Sequence, residues 1–303
     1  MSESNKRNFI VHGSILAIAG ILVRIIGMLY RIPVVNIIGS EGNGIYGAAF
    51  NIYNIMLVLS SYGLPMAVSK LVSARFTKKR YKSAAKVLRC SLMVAVCTGG
   101  IAALLVFFGA SFIENVIYGG GLPGLAVPLR ILAPTIFLVA ILGVIRGFFQ
   151  GQSTMIPTAV SQILEQIVNA IVSIAAGYGM MKAFASLPDV AAYGAAGSTL
   201  GTAMGALTAV LFMGFLYAVY TPTFNRLKRK DRHTENQSTG QICKIIIYTM
   251  IPIILGQTFY QISALIDDVM FSNIMVGRDI TKSISMDLGN FSSSYSLLIG
   301  IPQ

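Results

Sequence analysis

The sequence predicts an all-α polytopic membrane protein, and three observations predict it. The 303 residues are 55% hydrophobic and only 11% charged, with a mean hydropathy of +0.73. Soluble domains carry about 25% charged residues, so there is too little charge here to coat a water-facing surface. Apolar runs of the roughly 20 residues that a helix needs to cross a bilayer recur along the whole chain. The 23 Lys and Arg gather in blocks between those runs, which is the pattern of membrane loops. The net charge of +12 therefore implies no nucleic-acid partner.

Spans are predicted at 9–32, 45–65, 88–113, 126–149, 156–180, 194–219 and 245–270, and an eighth apolar run begins near Leu288. Lys6 and Arg7 precede the first as they would a signal peptide. The run is too long for one, and no Ala-x-Ala cleavage site follows. It reads as an uncleaved first span, and its interior holds Arg24 and Arg31. Gly13, Gly20, Arg24, Gly27 and Arg31 fall within about 60° of one another at 100° per residue, so glycines and arginines share one face. Two readings compete. The glycines let a neighbouring helix approach while the arginines snorkel, which is easy for Arg31 near the outer end. Alternatively Arg24, about two turns deeper, faces a wet cavity, because a charge at the bilayer centre costs roughly 2.5–3.5 kcal/mol.

The second span, 45–65, carries no charge. "RFTKKRYKSAAKVLR" at 75–89 is a basic amphipathic stretch expected to lie along the cytoplasmic face and to attract anionic headgroups. In the fifth span, "SQILEQIVNAIVS" sets Gln162, Glu165, Gln166, Asn169 and Ser173 on one helical face. That stripe is expensive toward lipid. It serves either as an interhelical hydrogen-bond seam or as a cavity wall in which Glu165 pairs with an arginine or exchanges a proton. Gly194, Gly197, Gly201 and Gly205 make a small-residue packing ridge in the sixth span. "NRLKRKDRHTENQSTG" at 225–240 is the longest polar run and the expected linker between two helical lobes. In the seventh span Gln257, Gln261 and Asp268 align, with Asp267 alongside, near the outer end, and Pro252 and Gly256 permit a bend there.

The resulting organisation is a six-helix lobe over 1–219, a cytoplasmic basic linker over 220–243, and the beginning of a second lobe over 244–303. The last run, "NFSSSYSLLIGIPQ", is too short to cross, so the chain is expected to hold only part of that second lobe. With the amino terminus inside, seventeen Lys and Arg fall on the inner side and five on the outer. That asymmetry puts the amino terminus in the cytoplasm.

Cys90, Cys97 and Cys243 are too few and too scattered for a disulfide framework, and His12 and His233 have no ligand-spaced partner. There is no Ser/His/Asp set, no phosphate-binding Gly-rich loop and no acidic metal cluster. No residue is proposed as catalytic or as a metal ligand, and the reading is of a non-enzyme.

"GILVRIIGMLYRIPVVNIIGSEGNGIYGAAFNIYN" (20–54), "SSYGLPMAVSKLVSARF" (60–76) and "VIRGFFQGQSTMIPTAVSQILEQIVNA" (144–170) resemble the bacterial polysaccharide-exporter branch of the multidrug/oligosaccharidyl-lipid/polysaccharide (MOP) flippase superfamily. Within that branch the chain resembles the stage V sporulation protein B-like members of Gram-positive bacteria. The resemblance implies two six-helix lobes around a central cavity in the bacterial cytoplasmic membrane. The implied activity moves undecaprenyl-linked sugar precursors outward by alternating access. It implies a lipid-linked sugar diphosphate as substrate, with cell-wall synthesis enzymes as partners. No cofactor is implied, and the energy source stays open among H+, Na+ and membrane potential. Arg24 sits where related peptidoglycan-precursor flippases have a first-helix arginine needed for transport, and Arg31 lies about one residue from a second. Those relatives also have arginines in the second helix, which this chain lacks. A cavity arginine can meet a diphosphate bidentately, so Arg24, Arg31, the Glu165 stripe and the polar residues of the seventh span are the candidate substrate-binding residues. Two other functions are a cation-coupled drug antiporter of the same superfamily, which arginines on the first helix disfavour, and a non-transporting scaffold for cell-wall synthesis.

Overall fold

The computed structural model describes residues 3–232, 237–277 and 284–291, and every described element is helical. Helix α1 (Glu3–Ser60) is followed by α2 (Gly63–Thr77), α3 (Tyr81–Phe112) and a π-helical turn (Ile113–Ile117). The remaining helices are α4 (Ala126–Gly151), α5 (Ile156–Ala183), α6 (Val190–Lys230), α7 (Thr239–Val276) and the short α8 (Ile284–Phe291). Among the described residues, six segments are long and apolar enough to cross a membrane. The first of them, Ser14–Thr77, has 64 residues. At about 1.5 Å per residue its helices add up to ~96 Å, some three times the ~30 Å hydrocarbon core, which is length enough for two crossings. The expected last run, 292–303, lies outside the described residues.

The division of α1 comes at Gly39, whose backbone is at φ 70°, ψ 178°. That region is open essentially to glycine alone. It separates a first rod (3–38) from a second rod (40–60), where the sequence predicted a longer loop between 32 and 45. A second irregularity follows at Ser61–Tyr62, where Ser61 and Tyr62 both donate to Leu57 O, and α2 then resumes. The "YGLP" motif packs at this bend. A Cβ on Gly63 would meet Met250 Cβ at 2.9 Å, and one on Gly147 of α4 would meet Pro65 O at 2.6 Å. Small residues thus let α2 lie directly on α4 and α7.

The stretch 75–89 is not one surface helix. α2 ends at Thr77, Lys79 adopts φ 55°, and α3 starts at Tyr81. The basic residues therefore sit on both sides of a tight helix-to-helix turn. Residues 220–230, read as linker, continue α6, because Phe224 is buried in an aromatic cluster with Phe76, Phe148 and Tyr220. The chain is then tied back to the same end of the bundle. Asp231 Oδ2 accepts from Lys82 N at 2.8 Å, Gln237 Oε1 accepts from Arg75 Nη2 at 2.9 Å, and Gln237 O accepts from Lys86 Nζ. Ser238 and Gln241 close a capping box that starts α7.

Two buried apolar clusters fill the bundle. One includes Tyr46, Tyr53, Leu122, Leu129 and Ile136. The other includes Leu64, Val72, Leu88, Phe148, Met213 and Ile246, at the end where α2, α3 and α7 meet.

Candidate functional site

The polar residues of α5 face protein on three sides. Glu165 Oε2 accepts from Arg146 Nη2 at 2.7 Å, and Arg146 Nε donates to Ser161 Oγ at 2.9 Å. The Arg146 and Glu165 side chains are 14% and 27% exposed, so this ion pair between α4 and α5 lies mostly inside the bundle. One turn on, Asn169 Nδ2 donates to Tyr30 OH of the first rod at 3.3 Å. Its Oδ1 accepts from Ser173 Oγ at 2.9 Å, and Ser173 Oγ also reaches Ser198 O of α6 at 2.8 Å. Gln166 stands against Gly27, whose Cβ, if it had one, would lie 3.1 Å from Gln166 Nε2. Gln162 is half-buried at the start of the same stripe. The α5 amides thus form a seam joining the first rod, α4 and α6.

Close packing of α6 on α5 makes this seam possible. A Cβ on Gly201 would lie 2.6 Å from Asn169 O and from Ser173 N, and one on Gly205 would lie 2.6 Å from Glu165 O. The predicted glycine ridge is therefore the surface that presses the α5 backbone into place.

The first rod meets the seam along a narrow stripe through Ala19, Tyr30, Val34 and Ile38, while Ile18, Ile21, Leu22, Ile25 and Leu29 are exposed. The predicted glycine–arginine face flanks this stripe. Gly27 touches α5, Gly20 opens on free space, and Arg24 is exposed. Arg31 is half-buried, with its guanidinium carbon 5.7 Å from the centroid of the Tyr46 ring on the second rod. A cation–π contact of this kind contributes about 0.5–2 kcal/mol. Tyr46 packs in turn on Phe50, and Phe50 on Tyr53. A row of packed rings on the second rod, with Tyr46 and Tyr53 buried, therefore backs Arg31.

Asp268 belongs elsewhere. Its Oδ2 accepts from Asn51 Nδ2 of the second rod at 2.5 Å, so it makes an interhelical contact between α7 and the second rod. Asn51 and Tyr53 are two residues apart, which sets them about 160° apart around a helix at 100° per residue. Gln257 is exposed and Gln261 half-buried on the same α7, which packs on α1, α2 and α3. Arg31 thus meets the Tyr46 face of the second rod, while Asp268 meets its Asn51 face on the far side.

Sequence reasoning missed Arg146, which it counted among inner-side charges, together with Ser161, Tyr30, Tyr46 and Asn51. A signal existed for Arg146, since it interrupts an apolar run as Arg24 does. The tyrosines and Asn51 gave none, because their partners come from distant helices.

Comparison with known proteins follows the same lines. The family described as polysaccharide biosynthesis protein matches residues 10–303. In Bacillus subtilis (strain 168) the chain is similar to the lipid II flippase MurJ, at 34% identity over 176 residues, 56% of this chain and 32% of that protein. It is similar to stage V sporulation protein B at 31% over 209 residues, 69% of this chain and 39% of that protein. It is similar to an uncharacterized membrane protein, YabM, at 27% over 295 residues, 97% of this chain and 53% of that protein. The chain spans about half the length, or less, of the curated relatives it matches. Among solved structures, an inward-facing multidrug resistance transporter of the MATE family matches with TM-score 0.66 and 17% identity, over 97% of this chain and 62% of that one. A MOP superfamily transporter from Pyrococcus furiosus, described as having a binding pocket of reverse polarity, matches with TM-score 0.64 and 17% identity, over 92% and 62%. At that identity the likeness shows the fold, which is that of MOP superfamily transporters.

Proposed function

We infer the function of this chain from the family it belongs to, the polysaccharide biosynthesis protein family, and from the chemistry of its first rod. The chain acts as part of a flippase or exporter that moves an isoprenoid-diphosphate-linked sugar precursor across the cytoplasmic membrane by alternating access. It is a transport protein and not an enzyme. Residues 1–219 act as one lobe and 244–303 as part of a second, joined by the cytoplasmic basic stretch 220–243, whose first part continues α6 and whose last part opens α7. The match to a relative named a lipid II flippase supports a lipid-linked substrate.

The single observation that carries the reading is the setting of Arg24. It is an exposed arginine about 15 residues before Gly39 on a rod whose neighbouring exposed residues are Ile21, Leu22, Ile25 and Met28. Fifteen residues are ~22 Å of helix, which puts Arg24 well inside the hydrocarbon layer. A guanidinium facing acyl chains there costs roughly 2.5–3.5 kcal/mol. A face that instead lines a wet cavity turns that cost into an anion site, in which the planar fork meets phosphate oxygens in pairs. Gly20 leaves room beside it, Gly27 is closed by Gln166, and Arg31 extends the charge about two turns outward.

The experiment is substitution at Arg24 with transport scored at matched membrane levels in cells depleted of their lipid-linked precursor flippase. If Arg24 clamps phosphate bidentately, Arg24→Lys fails nearly as badly as Arg24→Ala, and Arg31→Ala is milder. Rescue by lysine would reduce the role to placing charge. Full transport by Arg24→Ala would sink the anion site.

A further inference from the structure

Away from the α5 seam, α2 and α7 leave a groove between them at the end of the bundle where α2 stops and α7 begins. It encloses about 550 Å³ and is walled by Met66, Ile245, Pro252 and Ile253, with Tyr248 and Lys70 among its lining residues. A contiguous hollow of about 590 Å³ shares Ile245 and Tyr248 and adds Lys244 and Gln241. The Lys244 ammonium lies 5.7 Å from the centroid of the Tyr248 ring. Lys70 is seven residues from the end of α2 and Lys244 five from the start of α7, so both ammonium groups sit ~7–10 Å of helix inside the ends. Across the two adjoining hollows, Lys70, Lys244 and Tyr248 thus lie toward the helix ends, and apolar walls lead away from them along α7. An amphiphile with an anionic head fits that gradient. A soluble anion would leave the walls unused, and a zwitterionic lipid would carry its own cation up to the lysines.

We propose that the α2–α7 groove is a binding site for one anionic phospholipid, its phosphate held by Lys70 and Lys244 and its first acyl carbons lying against Met66, Ile245 and Pro252. Occupancy would cement the seam between α2 and α7, which already share a buried apolar cluster and the close Gly63–Met250 approach. The site stands on charge and shape alone and does not depend on what the chain transports.

The test is native mass spectrometry of the chain released from nanodiscs of phosphatidylcholine containing a minority of phosphatidylglycerol. The expected result is selective retention of phosphatidylglycerol. Lys70→Gln/Lys244→Gln should lower it about thirtyfold, since each lysine near an anionic surface contributes roughly a factor of five. The single variants should lose about fivefold each, which keeps the test open where the double variant does not fold. Lys70→Arg/Lys244→Arg should retain the lipid. Equal retention by wild type and both single glutamine variants would overturn the site. So would displacement of the lipid by inorganic phosphate, or cross-linking of two copies through a cysteine at Met66 in the lipid-loaded discs.

Discussion

The Arg146–Glu165 pair shows how a charge inside a membrane helix is tolerated. The carboxylate takes one guanidinium nitrogen at 2.7 Å while Ser161 takes Nε, so the arginine is held on two sides within a mostly enclosed setting. Removing one partner of such a pair is costlier than removing both, because the survivor is left uncompensated. Glu165→Gln should therefore destabilise by about 3 kcal/mol, at the low end of the range for buried pairs. Arg146→Met/Glu165→Met should return close to wild type. Thermal unfolding in detergent measures this, and a double variant less stable than either single one would show that the pair itself holds the seam. The first-rod arginines behave differently. Arg31 is half-covered by the Tyr46 ring and Arg24 is exposed, so substitutions there should disturb transport far more than folding. Of these three arginines, Arg24 and Arg31 were legible as candidates because each breaks an apolar run. Arg146 breaks one too, but it lies near the end of its span, where a charge reads as a loop marker.

Helices meet where glycines permit it, and the α5–α6 contact is the clearest case. Gly201 has Asn169 O and Ser173 N within 2.6 Å of where its Cβ would stand, whereas Gly214 on the same helix has nothing within 4 Å. Gly201→Leu should separate the helices, break the Asn169–Ser173–Ser198 hydrogen bonds and lower the melting temperature sharply, while Gly214→Leu should leave it almost unchanged. Equal effects from the two would deny the ridge its packing role. Gly39 is constrained by backbone instead of space, since nothing lies within 4 Å of its Cβ position at φ +70°. Gly39→Ala should cost about 1–3 kcal/mol as residual strain, read in the same melting experiment. The ridge was visible in the sequence as four small residues at helical spacing. The break at Gly39 was not, because a glycine inside a helical pattern carries no sign of the φ it will adopt.

At the scale of the molecule, hydropathy was sufficient to read an all-α membrane bundle, because span length depends only on local composition. It could not say which helices meet. The α7 residues Gln257, Gln261 and Asp268 looked equivalent to the α5 stripe by spacing, yet Asp268 bonds Asn51, away from the Tyr46 face that Arg31 meets, and Gln257 is exposed. That separation depends on long-range topology, which no window of sequence contains. Orientation rests on charge. With Arg146 placed inside α4 and paired, the inner set of seventeen loses one and still far exceeds the outer five, so the bias that sets topology survives the correction. The structure adds that the two basic blocks belong to one end, because Arg75 and Lys86 both bond Gln237 and Lys82 N donates to Asp231. They must therefore share a side, whichever it is. In a variant lacking Cys90, Cys97 and Cys243, single cysteines at Lys78 and Lys230 should both resist an impermeant thiol reagent in intact cells. A cysteine at exposed Gly120, on the loop at the opposite end of α3, should label. All three should react once the membrane is permeabilised. Labelling of the two basic positions from outside, with Gly120 protected, would invert the orientation while leaving the fold intact. Labelling of only one basic position would contradict the hydrogen bonds that join them.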